Sequence, residues 1–120
     1  MDPDATDQLR HMRDAASAAV EFAAGKDRAV LGSDRMFQFA IVRAVGIIGE
    51  AAAHVPDAMR AAHPEIPWGS IVGMRNRLVH GYFDVDLDTV WETVDVHLPP
   101  LIAALDAWIS SLTPPPSTTP

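Results

Sequence analysis

The chain has 120 residues and a formal net charge of −7, with 48% hydrophobic and 21% charged residues. This length is typical of one domain, and the composition excludes wholesale disorder. The absence of cysteine excludes disulfide frameworks, thiolate zinc sites and cysteine nucleophiles. The N-terminus is acidic and polar, unlike a signal peptide, and no stretch approaches eighteen consecutive apolar residues. We therefore expect a cytoplasmic protein without a membrane-spanning helix.

Helical spacing of apolar residues predicts a first helix over residues 5–24, which Gly25 would end. After a short connector, Ser33 is suited to cap a second helix that runs from about Asp34 to His54. An apolar stripe follows one side of this second helix, and its members are Phe37, Ile41, Ala44, Val45, Ile48 and Ala52.

The other sides of the second helix are also apolar, since they hold Met36, Phe39, Val42 and Ile47. A helix that is apolar nearly all round is buried on more than one side, and a bundle of this size has little room for that. The simplest second partner is another copy of the chain. The alternative is a central helix that leaves a few alkyl groups exposed.

Prolines mark the next helices. Pro56 suits the first turn of a short helix that reaches about Ala62, and Pro67 opens another that runs to about His80. Because no segment alternates like a strand, we predict an all-α bundle of four to five helices.

The last helix is expected to be capped by Asp86 or Asp88 and to be kinked or divided at Pro99 and Pro100, which lack amide donors. The tail after it is rich in proline and threonine. We therefore predict one helical domain over residues 1–112 and a disordered tail over residues 113–120.

Charge is unevenly distributed. Residues 35–82 carry five arginines against three acidic residues, whereas residues 83–120 carry six acidic residues and no basic one. A broad nucleic-acid-coating surface needs clustered basic residues and is therefore not expected. A local phosphate site in the middle segment remains compatible with this distribution.

The densest polar cluster lies near the end of the fourth predicted helix, over residues 74–82. Arg75 falls on the apolar line of that helix, where a guanidinium is costly unless it is paired or faces a wet cleft. Asn76 and His80 are i, i+4 neighbours on an adjacent face. Arg75 and His80 stand about 140° apart around the helix, which the length of an arginine side chain can bridge.

These residue types suit cleavage of an RNA phosphodiester. An imidazole takes or gives a proton near neutral pH, and a guanidinium clamps a phosphate and offsets its developing charge. The attacking 2′-hydroxyl comes from the RNA. The alternative is structural: Arg75 pairs with Glu50 or an aspartate, and His80 is an ordinary helix-end histidine.

Residues 75–82 resemble the Arg-x4-His-x-Tyr signature of HepT-like toxins in the HEPN ribonuclease superfamily. The resemblance covers roughly residues 5–112. Outside the signature it is carried by residues 47–52, 66–68, 71–74, 82–84 and 90–91.

The resemblance implies a HEPN-like homodimeric bundle in which two Arg-x4-His motifs face one another across a shared cleft. It also implies a metal-independent endoribonuclease that acts as a toxin, with Arg75 and His80 as catalytic residues. Asn76 and Arg77 are supporting residues within the motif. Tyr82 matches a tyrosine to which a partner nucleotidyltransferase antitoxin transfers AMP.

Glu50 is a further supporting candidate, because it either orients Arg75, lines a dimer cleft or forms a structural ion pair. With His54 it has i, i+4 spacing, but bundle metal sites need more carboxylates, so we expect no metal and no cofactor. The rival function is a non-catalytic dimeric bundle that binds a nucleotide or serves as partner of a nucleotidyltransferase. The net charge of −7 favours this rival.

Overall fold

The computed structural model describes the backbone of residues 3–80 and 86–112 and the side chains of residues 5–77 and 86–112. Those residues contain helices and no strand, so the predicted all-α class is confirmed. The helices are α1 (Pro3–Ala23), α2 (Arg28–Ser33), α3 (Arg35–Ala53), α4 (Asp57–Ala61), α5 (Trp68–His80), α6 (Leu87–Glu92), a π-helical turn (Thr93–His97) and α7 (Leu98–Leu112). The tail predicted for residues 113–120 lies outside the described residues.

Helix α3 is the centre of the bundle, since it packs against both α1 and α5, and α1 packs in turn against α7. The predicted stripe of α3 is buried, with Ile41 fully inaccessible. Trp68 and Trp108 are buried as well and meet edge to face, with ring centroids 6.1 Å apart. Both therefore fill the core, as expected for large aromatic side chains.

The start of α3 differs from the prediction. Asp34, and not Ser33, is the N-cap residue, and its carboxylate accepts a hydrogen bond from the Phe37 amide at 3.1 Å. The connector predicted before it contains the short helix α2, which ends at Ser33. Ser33 is unavailable as a cap for α3 because its own backbone is still helical.

The predicted last helix comprises α6, the π-helical turn and α7, and Asp86 is the N-cap residue of α6, where its side chain accepts hydrogen bonds from the amides of Asp88 and Thr89. The Thr89 hydroxyl donates to the same carboxylate at 2.8 Å, and these hydrogen bonds hold the pKa of Asp86 below its ordinary value of 3.8. A π-helical turn then precedes Pro99 and Pro100, which lie in the first turn of α7, where a missing amide is tolerated. The helix is therefore not interrupted at the prolines: a π-helical turn directly precedes them, and the helical backbone continues into α7.

By length and composition, α3 is able to cross a membrane, because an 18-residue window of it has a mean hydropathy of 1.5. The central helix of a soluble bundle has the same properties, and 44% of this window is buried inside the fold. Our expectation of no membrane helix therefore stays a prediction. The exposed part of α3 includes Met36 and Phe39, which are 80% and 54% accessible.

Candidate active site

The crossing of α3 and α5 positions Arg75. A Cβ placed on Gly49 would overlap the Cβ of Arg75 and lie 2.9 Å from the carbonyl oxygen of Ile71. Such a distance is closer than packed carbon and oxygen atoms tolerate, so only glycine allows this approach. Gly49 of α3 therefore fixes the base of the Arg75 side chain in the crossing.

The head of Arg75 is held by its neighbour in sequence. Its Nη1 donates to Oδ1 of Asn76 at 2.8 Å. Its Nε is buried and has no hydrogen-bond partner among the residues that the structure describes. Because a guanidinium has five N–H donors, Arg75 retains capacity to bind an acceptor that comes from outside the chain. Asn76 itself is exposed, so this pair lies at the protein surface.

The structure does not bring Glu50 into an ion pair with Arg75; within the described side chains Arg75 has no carboxylate partner. Glu50 is exposed and lies in a groove between α1 and α3 that we call the α1–α3 groove, of about 410 Å³. Its neighbour Gly49 occupies the position facing α5. Because successive residues are 100° apart around a helix, Glu50 points away from that crossing.

Arg77 is exposed and lines a larger cleft of about 620 Å³ between α5, α6, the π-helical turn and α7. Apolar side chains such as Ile48, Met74 and Leu101 form most of its wall. Arg75 is not one of the described residues that line this cleft. The two arginines of the motif therefore belong to different surfaces of α5.

Glu65 also lines this cleft. Its carboxylate receives a hydrogen bond from the His63 ring at 2.8 Å, and this bond holds the pKa of Glu65 below its usual value of 4.5. The His63 ring stacks on Trp108, with centroids 3.7 Å apart. The lining of this cleft therefore includes, besides Arg77, a carboxylate stabilised in its charged form.

Two predicted residues are not placed. His80 is the last residue of α5, and its side chain lies outside the described residues. Tyr82 lies in residues 81–85, which are also outside them. Their predicted roles therefore stay predictions.

The α1–α3 groove holds residues that sequence reasoning did not bring together. His11 of α1 lies there with Arg43, Glu50 and His54 of α3. The i, i+4 spacing of Glu50 and His54 places these two on one side of a helix, but the sequence carried no signal that α1 would supply His11. In the part of the chain that the structure describes, no three histidine or acidic residues are arranged to hold a metal ion.

The family model described as "Ribonuclease HepT-like" matches residues 12–108, a span that contains the α3–α5 crossing and the whole motif. The chain belongs to the HepT-like ribonuclease family. The predicted family membership is thereby confirmed.

Two relatives illustrate the similarity of the chain to proteins named as ribonucleases. A protein of Thermococcus cleftensis named "Probable ribonuclease HepT" is 46% identical over 68 residues, which are 57% of this chain and 62% of that protein. A protein of Methanocaldococcus jannaschii named "Putative RNase MJ1380" is 33% identical over 91 residues, which are 76% of this chain and 84% of that protein. No solved structure matches the chain significantly.

Proposed function

We propose that this HepT-like chain is a metal-independent endoribonuclease whose active unit is a homodimer. The observation that carries the proposal is the state of Arg75: its guanidinium has a fixed base and one Nη1 donor held by Asn76, and its other Nη donors have no acceptor in the described residues. Arginine binds phosphate through paired N–H donors, so a phosphodiester is the acceptor that best fits this group. Family membership supports RNA as its source.

In the proposed reaction, the 2′-hydroxyl of RNA attacks the adjacent phosphorus. An imidazole of His80 removes the proton of that hydroxyl, and a second imidazole, from the partner chain, gives a proton to the leaving 5′-oxygen. Arg75 stabilises the charge that develops on the phosphoryl oxygens. The P–O5′ bond breaks as the P–O2′ bond forms, so the products carry a 2′,3′-cyclic phosphate and a 5′-hydroxyl.

The test is cleavage of a labelled RNA by wild type, Arg75→Ala and His80→Ala, each with and without EDTA. Losing a group that stabilises transition-state charge typically costs on the order of 100- to 1,000-fold in rate, and we expect that loss for both variants. Arg10→Ala is the matched control, since it removes an exposed arginine of α1 that pairs only with surface carboxylate Asp7 in the described structure. Equal activity in all proteins would refute the assignment, and loss of wild-type activity in EDTA would refute metal independence.

We further propose that the enzyme is a toxin whose partner is a nucleotidyltransferase antitoxin that transfers AMP to Tyr82. An adenylyl phosphate two residues from His80 would add bulk and negative charge beside the RNA phosphate. Mass spectrometry of the chain co-expressed with such a transferase should show modified wild type and unmodified Tyr82→Phe. Unmodified wild type would contradict this part of the proposal.

The rival function, a non-catalytic nucleotide-binding module, is favoured by the net charge of −7. The two functions make opposite predictions for growth. A toxin arrests growth when expressed alone, and His80→Ala relieves the arrest. Tight nucleotide binding without turnover of RNA, together with normal growth, would establish the rival.

A further inference from the structure

In the described part of the chain, one face of helix α3, which borders the α1–α3 groove, carries mostly exposed residues. We call it the outer face of α3 and define it by Met36, Phe39, Arg43, Gly46, Ile47, Glu50 and His54. Met36 and Phe39 are two of the large apolar side chains that are most exposed among the described residues. Less than half of the apolar window of α3 is buried, although α1 and α5 already cover two of its sides. This face therefore has the composition of an interface.

Packing within the described part of the chain does not require a glycine at position 46. A Cβ placed on it would meet no atom within 4 Å, unlike one placed on Gly49. A glycine inside a helix costs about 1 kcal/mol relative to alanine, and one with empty space beside it is not explained by packing within the bundle. Close approach of a second helix backbone to α3 would explain it.

Arg43 and Glu50 lie on either side of Gly46 and Ile47. Seven residues separate them, so they stand on one face of α3, roughly 10 Å apart along its axis. Both are exposed, and neither forms an ion pair with another residue in the described part of the chain. A helix that packs here must therefore bring a carboxylate to Arg43 and a cation to Glu50.

A second copy of α3 meets this requirement. Consider two identical helices that pack antiparallel about a twofold axis. A residue that precedes the axis by some number of positions then faces the partner residue that follows the axis by the same number of positions. With the axis between Gly46 and Ile47, Arg43 faces the partner's Glu50 and Glu50 faces the partner's Arg43. In the same register Phe39 faces the partner's His54.

We propose that two copies of the chain associate through the outer faces of α3, packed antiparallel with the twofold axis at Gly46–Ile47 and with two reciprocal Arg43–Glu50 ion pairs. This inference rests on the dimeric ribonuclease proposed above and specifies its interface. A lipid surface fits the same face less well, because Arg43 and Glu50 would enter it without partners.

The interface bears directly on the active site. The 620 Å³ cleft lies on one flank of the α3–α5 pair, where Ile48 and Met74 line it. Glu50 of α3 and Asn76 of α5 lie on the opposite flank of this helix pair, because each is 100° further around its helix than the residue at the crossing. The Arg75–Asn76 pair therefore lies at the margin of the outer face of α3.

Dimerisation in this register brings the two sites together. The two Gly49 residues, each in contact with its own Arg75, stand about 7.5 Å apart along the helix axes. The axes of packed helices are themselves about 8–10 Å apart. In this register the partner's Arg43, paired with Glu50, lies on the same flank of α3 as the Arg75–Asn76 pair and adds a cation from the second chain to that surface.

Charge reversal tests the register. Sedimentation equilibrium would compare wild type, Arg43→Glu, Glu50→Arg and the double variant. Each single variant places like charges opposite one another, so its dimer dissociation constant should rise about tenfold or more. The double variant restores both pairs with reversed polarity and should return the constant to within a few-fold of wild type. Asp95→Arg, an exposed charge reversal on the π-helical turn, is the matched control and should leave it unchanged.

Gly46→Leu provides a second test, since it should weaken the dimer while circular dichroism shows a folded bundle. A monomeric wild type, single reversals that dimerise like wild type, or a folded double variant that stays monomeric would overturn the proposal. Flotation of wild type with phospholipid vesicles would overturn it in favour of a membrane. A dimer of this register without RNA cleavage refutes only the proposed activity. Cleavage by a monomer refutes the interface and the homodimeric active unit but leaves the ribonuclease activity standing.

Discussion

Gly49 and Arg75 are in direct backbone-to-side-chain contact, and no side chain fits between them. The contact lets α3 and α5 approach closely and makes the position of Arg75 depend on a residue that carries no chemistry. Different residues hold the two ends of the Arg75 side chain. Its Cβ packs against Gly49 of α3, and its guanidinium donates a hydrogen bond to Asn76 at the surface.

Replacing Gly49 with alanine should therefore destabilise the fold by about 1–3 kcal/mol, because the added methyl group forces α3 and α5 apart. Urea denaturation measures this change. Gly73→Ala is the matched control on α5, since a Cβ there meets nothing within 4 Å. It should raise stability by roughly 0.5–1 kcal/mol through higher helix propensity. An equal effect of both substitutions would contradict the role given to Gly49.

Asn76→Ala should reduce RNA cleavage by about tenfold, less than Arg75→Ala, because it releases the guanidinium without removing it. Single-turnover rates with saturating enzyme would measure the loss. The free energy of unfolding should change by less than about 0.5 kcal/mol, since Asn76 is exposed. A cleavage rate equal to that of wild type would show that the 2.8 Å bond does not position Arg75.

Asp86 gives the fold a contribution that depends on pH. Its folded pKa is depressed, chiefly by the hydrogen bond from the Thr89 hydroxyl. The stabilisation is therefore present above the ordinary pKa of 3.8 and is lost as the pH falls through the lower, folded value. The stability difference between wild type and Asp86→Ala should shrink over that acidic range.

Thr89→Val tests the cause of this shift. The valine keeps the shape of threonine but removes the hydroxyl donor, so an NMR titration should find the Asp86 pKa closer to 3.8 than in wild type. An unchanged pKa would assign the shift to the helix amides alone.

Trp68→Phe should destabilise the fold by about 1 kcal/mol more than the reduction in buried apolar area alone would cause. The additional loss arises because the indole Nε1 donates a hydrogen bond to the His63 carbonyl at 3.0 Å. Trp91→Phe is a suitable control, since Trp91 is half-buried and its indole has no hydrogen-bond partner among the described residues. Thermal unfolding followed by circular dichroism compares the two. Equal losses would assign the effect of Trp68 to ring size.

The sequence predicted the long helices well because their apolar residues recur at helical spacing. It missed α2, since a six-residue helix such as Arg28–Ser33 is too short to show a period, and so it assigned the cap of α3 to Ser33 instead of Asp34. Both errors concern the segment before α3, and the prediction of a helical bundle does not depend on them.

The candidate site was predicted in part. Arg75 and Asn76 were identified from residue type and position, and they lie together. The orientation of Glu50 was not predictable, because the contact that decides it is made by Gly49, a residue without a side chain. The contribution of His11 to the α1–α3 groove depends on how two distant helices pack, which local periodicity does not specify.

Gly46 and Gly49 are only three residues apart, yet one faces outward and the other faces α5. Inserting or deleting a single residue between them would rotate one glycine by 100° relative to the other. Either change would separate the surface that we propose binds a second copy from the surface that seats Arg75. In this short stretch of α3, the spacing of residues is therefore as tightly constrained as their identity.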